Sequence, residues 1–312
     1  MGEVTEYIGC KISRNEERRS FKFTQPVMIQ NFKDEFDVGN RKPTTPEEAG
    51  SVLVKGDDFT KVEPKRHTYF RKGLGKLLHM TRWSRPEAQN SVRELSRLGS
   101  APTEVHIKAI HRGMEYCLGT PERGWEIRPS RLWYGKDKEF RFRFHGLTES
   151  DYTKCPVTRR SVSGYAAFLE GAPVTVKSAM KKVVALSVTE AETVAGVQYA
   201  QDMLYIKRVL EGMQLQVELP MVLKIDNSGA VDLANGWSAG GRTRHMETRM
   251  FFLRELKEEG ILNIQWLKGS ENPVDMFTKN LAGPAFNKFA KVFVGEDQYN
   301  QKKTTVEVES ES

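Results

Sequence analysis

The chain has 312 residues, enough for two domains with hydrophobic cores of their own. Hydrophobic residues make up 38% of it and charged residues 29%, and no apolar run is long enough to span a membrane or form a signal peptide. We therefore expect an intracellular protein of the cytoplasm or nucleus without membrane contact. The three cysteines are scattered and match neither a zinc spacing nor a disulfide framework, which indicates a reducing compartment.

The net charge of +7 is unevenly distributed along the chain. Residues 61–100 carry ten Lys and Arg against three acids, a local excess of seven that equals the excess of the whole chain. The same stretch contains Tyr69, Phe70 and Trp83, and basic residues mixed with aromatic ones suit a nucleic acid. A solvated helix face gives the same composition, so both interpretations stay open. Residues 301–312 predict a disordered acidic tail.

The first part of the chain predicts a small mixture of strands and helices. "EYIGCKISR" and "SFKFTQ" read as strands, and "PVMIQNFKDEF" reads as a short helix. Further helices are predicted over residues 69–80, from Pro86 towards Leu98, and over "TEVHIKAIHRGMEYCLGT", which Gly119 ends. Pro121 to Lys138 is predicted to be a linker between domains.

The second part has the order of a mixed α/β domain. "KEFRFRFHG" alternates Phe with Arg and predicts a strand, "SGYAAFLEGAPVTVKS" predicts two more around a turn, and "KVVALSV" predicts another. A long helix, the strand "MVLKID", two helices, the strand "ILNIQWLKG" and a last helix at "NPVDMFTK" follow.

The long helix begins with acids on two different faces. Its apolar seam runs through Ala195, Tyr199 and Met203, and extending that seam backwards by three residues reaches Glu192. Glu190 is turned about 200° away from Glu192, which predicts a solvated first-turn acid that complements the helix dipole. Glu192 instead faces the buried side, where an ionised group needs a cationic partner.

Other acids occur where strands end and helices begin. Asp226 ends an apolar strand, Asp275 lies in the first turn of the last helix, and Glu149 and Asp151 follow the first strand of this half. Each one alone fits a helix cap or a surface charge. Together they fit a site of hard oxygen ligands, which would take Mg²⁺ or Mn²⁺ rather than zinc.

Four blocks of the second half resemble the ribonuclease H domain of copia-type LTR retrotransposon Pol polyproteins. These blocks are "GLTESDYTKCPVTRRSVSGYAAFLEGAPVTVKSAMKKVVALSVTEAETVAG", "LKIDNSGAVDLA", "GRTRHMETRMFFLRE" and "NPVDMFTKNL". The first half, including "YFRKGLGKLLHMTRWSRPEAQNSVRELSRL", resembles the part of the same polyproteins' reverse transcriptase that follows the polymerase motif.

The resemblance implies a fold and three regions. The fold is α/β, a ribonuclease H-like mixed sheet with flanking helices, preceded by a smaller, mainly helical α+β remnant of the reverse transcriptase. The regions are residues 1–125 for the remnant, 138–282 for the ribonuclease H-like domain, and 283–312 for a C-terminal extension and tail.

The resemblance also implies a two-metal mechanism. In ribonucleases H a cluster of carboxylates holds two Mg²⁺ or Mn²⁺ ions about 3.5–4 Å apart around the scissile phosphate. By position, the catalytic and metal-binding residues are Glu149, Glu192, Asp226 and Asp275. The family has an aspartate where this chain has Glu149, and the additional methylene displaces the carboxylate. Asp151 is a possible substitute for it.

The implied partner is an RNA–DNA hybrid or another nucleic acid. Arg159, Arg160, Arg242, Arg244 and His245 match basic positions of the family, which implies contacts with backbone phosphates. Structural or solvated side chains explain them equally well, and for His245 a packing or capping role is the stronger alternative.

A polymerase site is not predicted. The pair Asp57 and Asp58 lacks the preceding aromatic residue and reads as a polar loop, so we expect the chain to start after the polymerase site. A longer Pol protein would then supply the missing palm.

Three hypotheses follow for the function. The first is a metal-dependent ribonuclease H, part of a truncated Pol polyprotein, that hydrolyses the RNA strand of RNA–DNA hybrids. The second is a decayed relic that binds nucleic acid without cutting it, and the third is an inert, poorly folded fragment.

Overall fold

The computed structural model describes residues 4–16, 19–57, 60–135, 137, 139–182, 184–236 and 247–294. Of these residues, those within Met1–Arg128 and Lys279–Asp297 form one compact unit, and those within Pro129–Thr278 form a second. Asp58, Arg242, Arg244, His245 and the predicted acidic tail lie outside the described residues. In the described part of the chain, none of the helices is both long and apolar enough to cross a bilayer.

The first unit combines an antiparallel sheet with helices, as the predicted α+β class requires. Its strands lie in the order β1-β2-β3-β4. They are β1 (Glu6–Tyr7), β2 (Cys10–Asn15), β3 (Ser20–Thr24) and β4 (Trp125–Ile127). Its helices are α1 (Pro26–Glu35), α2 (Pro64–Trp83), α3 (Gln89–Ser96), α4 (Glu104–Gly119) and α8 (Gly283–Val294). The linker predicted over Pro121 to Lys138 is wrong in part, because β4 lies within that segment and pairs with β3.

The interior of the first unit contains buried ion pairs as well as apolar side chains. Arg85 Nε donates to Glu87 Oε1 over 2.7 Å, and the Arg85 guanidinium lies 5.1 Å from the centre of the Tyr116 ring. Arg93 and Glu94 form a second buried pair over 2.7 Å. Two of the basic residues of 61–100 are therefore neutralised inside the unit and do not add to a surface patch.

The second unit is built on a five-stranded mixed sheet in the order β11-β10-β6-β7-β8. Strands β6, β10 and β11 run parallel, whereas β6, β7 and β8 form antiparallel pairs. The strands are β6 (Phe144–Asp151), β7 (Val162–Leu169), β8 (Ala172–Met180), β10 (Met221–Ile225) and β11 (Leu262–Trp266), and a separate short pair is β5 (Arg141–Phe142) with β9 (Gln216–Val217). The helices are α5 (Val188–Gly212), α6 (Ser228–Ala234) and α7 (Glu247–Glu258). The predicted mixed sheet with flanking helices is confirmed.

Helix α5 packs on one face of this sheet through its predicted apolar seam. Tyr199 and Met203 are fully buried there, and the Tyr199 hydroxyl donates to the Ala166 carbonyl over 3.1 Å. The ring lies so close to β6 that a Cβ on Gly146 would lie 1.8 Å from Tyr199 Cε1. Only glycine allows this approach of helix and strand.

Of two strand predictions for this unit, one was wrong in its end and the other in its existence. The segment "KEFRFRFHG" contains β5 and the start of β6, but β6 continues to Asp151, so Glu149 and Asp151 lie within the strand and not after it. The described residues of "KVVALSV" form no strand, because β8 ends at Met180 and α5 begins at Val188.

Candidate metal centre

The register of two parallel strands brings two of the predicted acids together. Ile225, the last residue of β10, pairs with Thr148 of β6. The residues that follow these partners are Asp226, directly after β10, and Glu149, within β6, so the two acids lie at the same level of the sheet. The Trp266 Nε1 donates to the Asp226 carbonyl over 3.0 Å, and Asn227 caps α6 by accepting from the Ala230 amide. The predicted position of Asp226 at a strand end is confirmed.

The third acid comes from the first turns of helix α5. Ser187 caps this helix by accepting a hydrogen bond from the Glu190 amide, which fixes where the helix starts. Glu192 follows on the inward face and is 2% exposed, as its place on the apolar seam predicted. Its Oε1 accepts from the Ser150 amide over 2.8 Å, so the helix start is attached directly to β6.

Glu149, Glu192 and Asp226 form a cluster of three carboxylates, called the acidic cluster below. One carboxylate oxygen of each lies within 4.8 Å of those of the other two. Glu149 is also only 2% exposed, whereas Asp226 is partly accessible. Carboxylate oxygens at such separations, with no His or Cys in the cluster, suit a hard divalent cation such as Mg²⁺ or Mn²⁺. The donor set therefore fits the predicted metal.

The fourth predicted acid is not a member of this cluster, but its turn is attached to a strand of the cluster. Asp275 is half-buried in a 3-10 turn, Pro273–Phe277, which the structure shows in place of the predicted helix. Asn272 caps the turn by accepting from the Val274 amide, and its Nδ2 donates to the Thr148 carbonyl over 2.9 Å. The turn is therefore attached to β6 one residue before Glu149.

The remaining predicted residues are placed as follows. Asp151 ends β6 and pairs with Lys154 over 3.2 Å, so it lies outside the acidic cluster in this structure. Arg159 and Arg160 are exposed in the loop between β6 and β7, and Arg159 has a positive φ of 55°. Their exposure leaves them accessible to a polyanion.

The expectation for Glu190 was wrong. Its side chain is 6% exposed instead of solvated, its Oε2 accepts from the Leu186 amide over 2.6 Å, and Arg249 Nη1 lies 3.8 Å from its Oε1. The helix start is covered on two sides, so even the residue that points away from Glu192 is enclosed. The helical periodicity did not predict the burial of Glu190, because it describes the helix and not the residues that pack around its end.

Sequence reasoning also missed Lys181, a buried lysine beside this helix start. It is 3% exposed, and its Nζ donates to the Ala191 carbonyl. Residue 181 directly follows β8 and is adjacent to a second lysine, Lys182, and nothing in the local pattern separates the two.

Comparisons of the sequence with known proteins confirm the predicted resemblance to retrotransposon Pol polyproteins. No family model matches the chain. The chain is 28% identical over 283 residues to the Retrovirus-related Pol polyprotein from transposon TNT 1-94 of Nicotiana tabacum, covering 89% of this chain and 20% of that protein. It is 27% identical over 249 residues to that from transposon RE1 of Arabidopsis thaliana, covering 80% of this chain and 16% of that protein. The chain thus spans about a fifth or less of the length of these relatives.

A comparison with solved structures finds ribonucleases H. LC11-RNase H1, whose crystal structure was solved in complex with an RNA/DNA hybrid, is 14% identical with a TM-score of 0.34. The match covers 47% of this chain and 98% of that one.

Proposed function

We propose that the second unit is a ribonuclease H that hydrolyses the RNA strand of RNA–DNA hybrids with Mg²⁺ or Mn²⁺. The observation that carries this proposal is the acidic cluster, in which Glu149, Glu192 and Asp226 come from two neighbouring strands and one helix start. Acidic residues that serve only as surface charges do not need to come together from separate elements in this way. The similarity to retrovirus-related Pol polyproteins supports the same substrate class.

The residues have separate tasks in this proposal. Glu149, Glu192 and Asp226 would hold two divalent cations, and Asp275 would complete the ligand set from the 3-10 turn. The bound cations would activate the attacking water and stabilise the leaving 3′ oxygen. Ser150 fixes Glu192 through its amide, and Asn272 keeps the turn of Asp275 attached to β6. These contacts hold the acids in place before a cation or substrate arrives.

Exposed cations would bind the backbone of the hybrid. Arg159 and Arg160 lie in the loop after β6, the strand that carries Glu149. The first unit by itself also presents exposed cations of α2 that would bind a nucleic acid separately, namely Lys65, Arg71 and Arg82. Such contacts position a duplex without reading its sequence, and they make its affinity strongly dependent on salt.

The test is the cleavage of a hybrid labelled separately on each strand, in Mg²⁺ and in Mn²⁺. We expect the RNA strand alone to be cut, and Asp226→Asn to reduce the rate at least about a hundredfold, as the loss of a group that stabilises developing charge does. Asp232→Asn is the matched control, since Asp232 is an exposed acid of α6, six residues further along. Equal rates for wild-type protein and Asp226→Asn would contradict the proposal.

The second candidate function is binding without cleavage. The observation that favours it is Glu149 itself, because the resembling family has an aspartate there and a displacement of about 1 Å costs about a hundredfold in rate. Glu149→Asp separates the two functions. If the wild type binds the hybrid without cutting and Glu149→Asp cuts it, the site is complete in layout and inactive through one methylene.

A further inference from the structure

Lys181 is a fully enclosed cation next to the start of helix α5. It follows β8, its amide donates to the Ser161 carbonyl over 2.9 Å, and its side chain is 3% exposed. Its Nζ donates to the carbonyl of Ala191. An ammonium group taken out of water is costly unless negative charge lies close to it. Because it is enclosed, Lys181 does not touch a substrate.

The negative charge near Lys181 comes from two members of the acidic cluster and from Glu190. Ala191 lies between Glu190 and Glu192, and the carboxylates of Glu192, Glu190 and Glu149 all act electrostatically on the ammonium group. Burial lowers the pKa of Lys181 to about 8, and these three carboxylates oppose that decrease. The group therefore remains mostly cationic at neutral pH.

A second cation, Arg249, also lies near the helix start. Arg249 Nη1 lies 3.8 Å from Glu190 Oε1, and its positive charge acts against that of Lys181. Arg249 is partly exposed, so solvent screens it. Lys181 is instead enclosed, and its ammonium group is influenced electrostatically by Glu192 and Glu149.

Resting on the proposed function, we propose that Lys181 is a positioning residue, an internal counter-ion that holds the acidic cluster together without metal and limits its affinity for divalent cations. Its hydrogen bond to Ala191 fixes the turn that carries Glu192, and its charge offsets the repulsion among the carboxylates. The same charge repels an incoming cation, so it stabilises the metal-free fold and weakens metal binding. Removing the charge should therefore lower the stability of the metal-free protein and raise its affinity for metal. A residue that acts only through packing would lower the stability without raising the affinity.

The test uses the full chain, with Lys181→Met to remove the charge and Lys182→Met as the control. Lys182 is the next residue, carries the same side chain and is exposed. Mn²⁺ alone is titrated calorimetrically, and thermal unfolding is followed in EDTA. We expect Lys181→Met to bind Mn²⁺ at least about tenfold more tightly, which corresponds to ~1.4 kcal/mol, and to unfold at a lower temperature in EDTA. Lys182→Met should match the wild type in both.

A second variant keeps the test decisive where Lys181→Met does not fold. Lys181→Gln removes the charge but retains a donor for the Ala191 carbonyl, so it too should bind Mn²⁺ more tightly than the wild type. A folded neutral variant with unchanged or weaker Mn²⁺ affinity overturns the proposal, even if its stability falls.

Asp226→Asn separates this failure from a failure of the proposed function. If the wild type binds Mn²⁺ and Asp226→Asn does not, the metal centre stands and only the role of Lys181 is in question. If the wild type and Asp226→Asn bind Mn²⁺ equally, or neither binds it, the proposed function and the role of Lys181 are both overturned.

Discussion

Removing one carboxylate from the acidic cluster should stabilise the metal-free protein. Asp226→Asn is nearly isosteric and deletes one of three negative charges whose oxygens lie within 4.8 Å of one another. At that separation, two unit charges repel by about 3.5 kcal/mol for an effective dielectric constant of about 20. Lys181 acts electrostatically on Glu192 and Glu149 and so offsets part of the repulsion, and Asp226 is partly exposed. We therefore expect a net gain of ~1–2 kcal/mol in the free energy of unfolding.

The assay is urea denaturation in EDTA and again in Mn²⁺, with Asp232→Asn as the control. In EDTA, Asp226→Asn should unfold at a higher urea concentration than the wild type, with an unchanged slope. In Mn²⁺ the order should reverse, because only the wild type gains the free energy of binding. A variant that is less stable than the wild type in EDTA would refute the reasoning, since it would show that Asp226 stabilises the fold by itself.

Three further predictions concern packing and buried charge. Gly146→Ala should lower the free energy of unfolding by about 3 kcal/mol, because the new Cβ would clash with the ring of Tyr199. Gly75→Ala, on the open face of α2, should instead raise it by ~1 kcal/mol. Urea denaturation measures both changes, and equal effects of the two variants would contradict the prediction. Burial lowers the pKa of His145 to about 4, and the nearby cations lower it too. Between that value and about 6.5, the unfolded chain therefore binds more protons than the folded chain. The free energy of unfolding consequently decreases as the pH falls through this window. His145→Phe should therefore reduce the loss of unfolding free energy between pH 7 and pH 5 by about 2 kcal/mol, and an unchanged pH dependence would contradict this. Glu87→Ala should lower the free energy of unfolding by about 3–5 kcal/mol, because the Arg85 guanidinium would stay buried without its carboxylate partner. Urea denaturation measures this change, and a decrease below ~1 kcal/mol would argue against the pairing.

The sequence predicted those site residues whose position depends on local pattern. Glu192 continues a seam of period 3.6, so its burial follows from the helix alone. Asp226 follows an apolar strand and precedes a capping Asn227, and both features are visible within a few residues. Patterns within a single helix or strand predict the positions of such residues, whatever packs against that element.

The sequence did not predict features that depend on contacts distant in the chain. Glu190 is enclosed because Arg249 and the segment before α5 cover it, and Lys181 is enclosed although Lys182 beside it is exposed. Two arginines of the basic stretch were assigned to a surface because their acidic partners, Glu87 and Glu94, also look solvated in the sequence.

Boundaries between units could not be read from composition for the same reason. Helix α8 follows the second unit in the chain, yet its residues belong to the first unit, where Asn287 accepts from Arg123 over 3.0 Å. Strand β4 completes the antiparallel sheet from within a segment rich in Pro, Gly and charge. A segment that returns to an earlier unit leaves no local signal.

Anomalous diffraction from crystals of the full chain grown with Mn²⁺ would test the central claim most directly. The account predicts at least one Mn²⁺ peak within coordination distance of Glu149, Glu192 and Asp226, and its absence in crystals of Asp226→Asn grown in the same way. A well-ordered acidic cluster without a peak at saturating Mn²⁺, or a peak that persists unchanged in Asp226→Asn, would contradict the account.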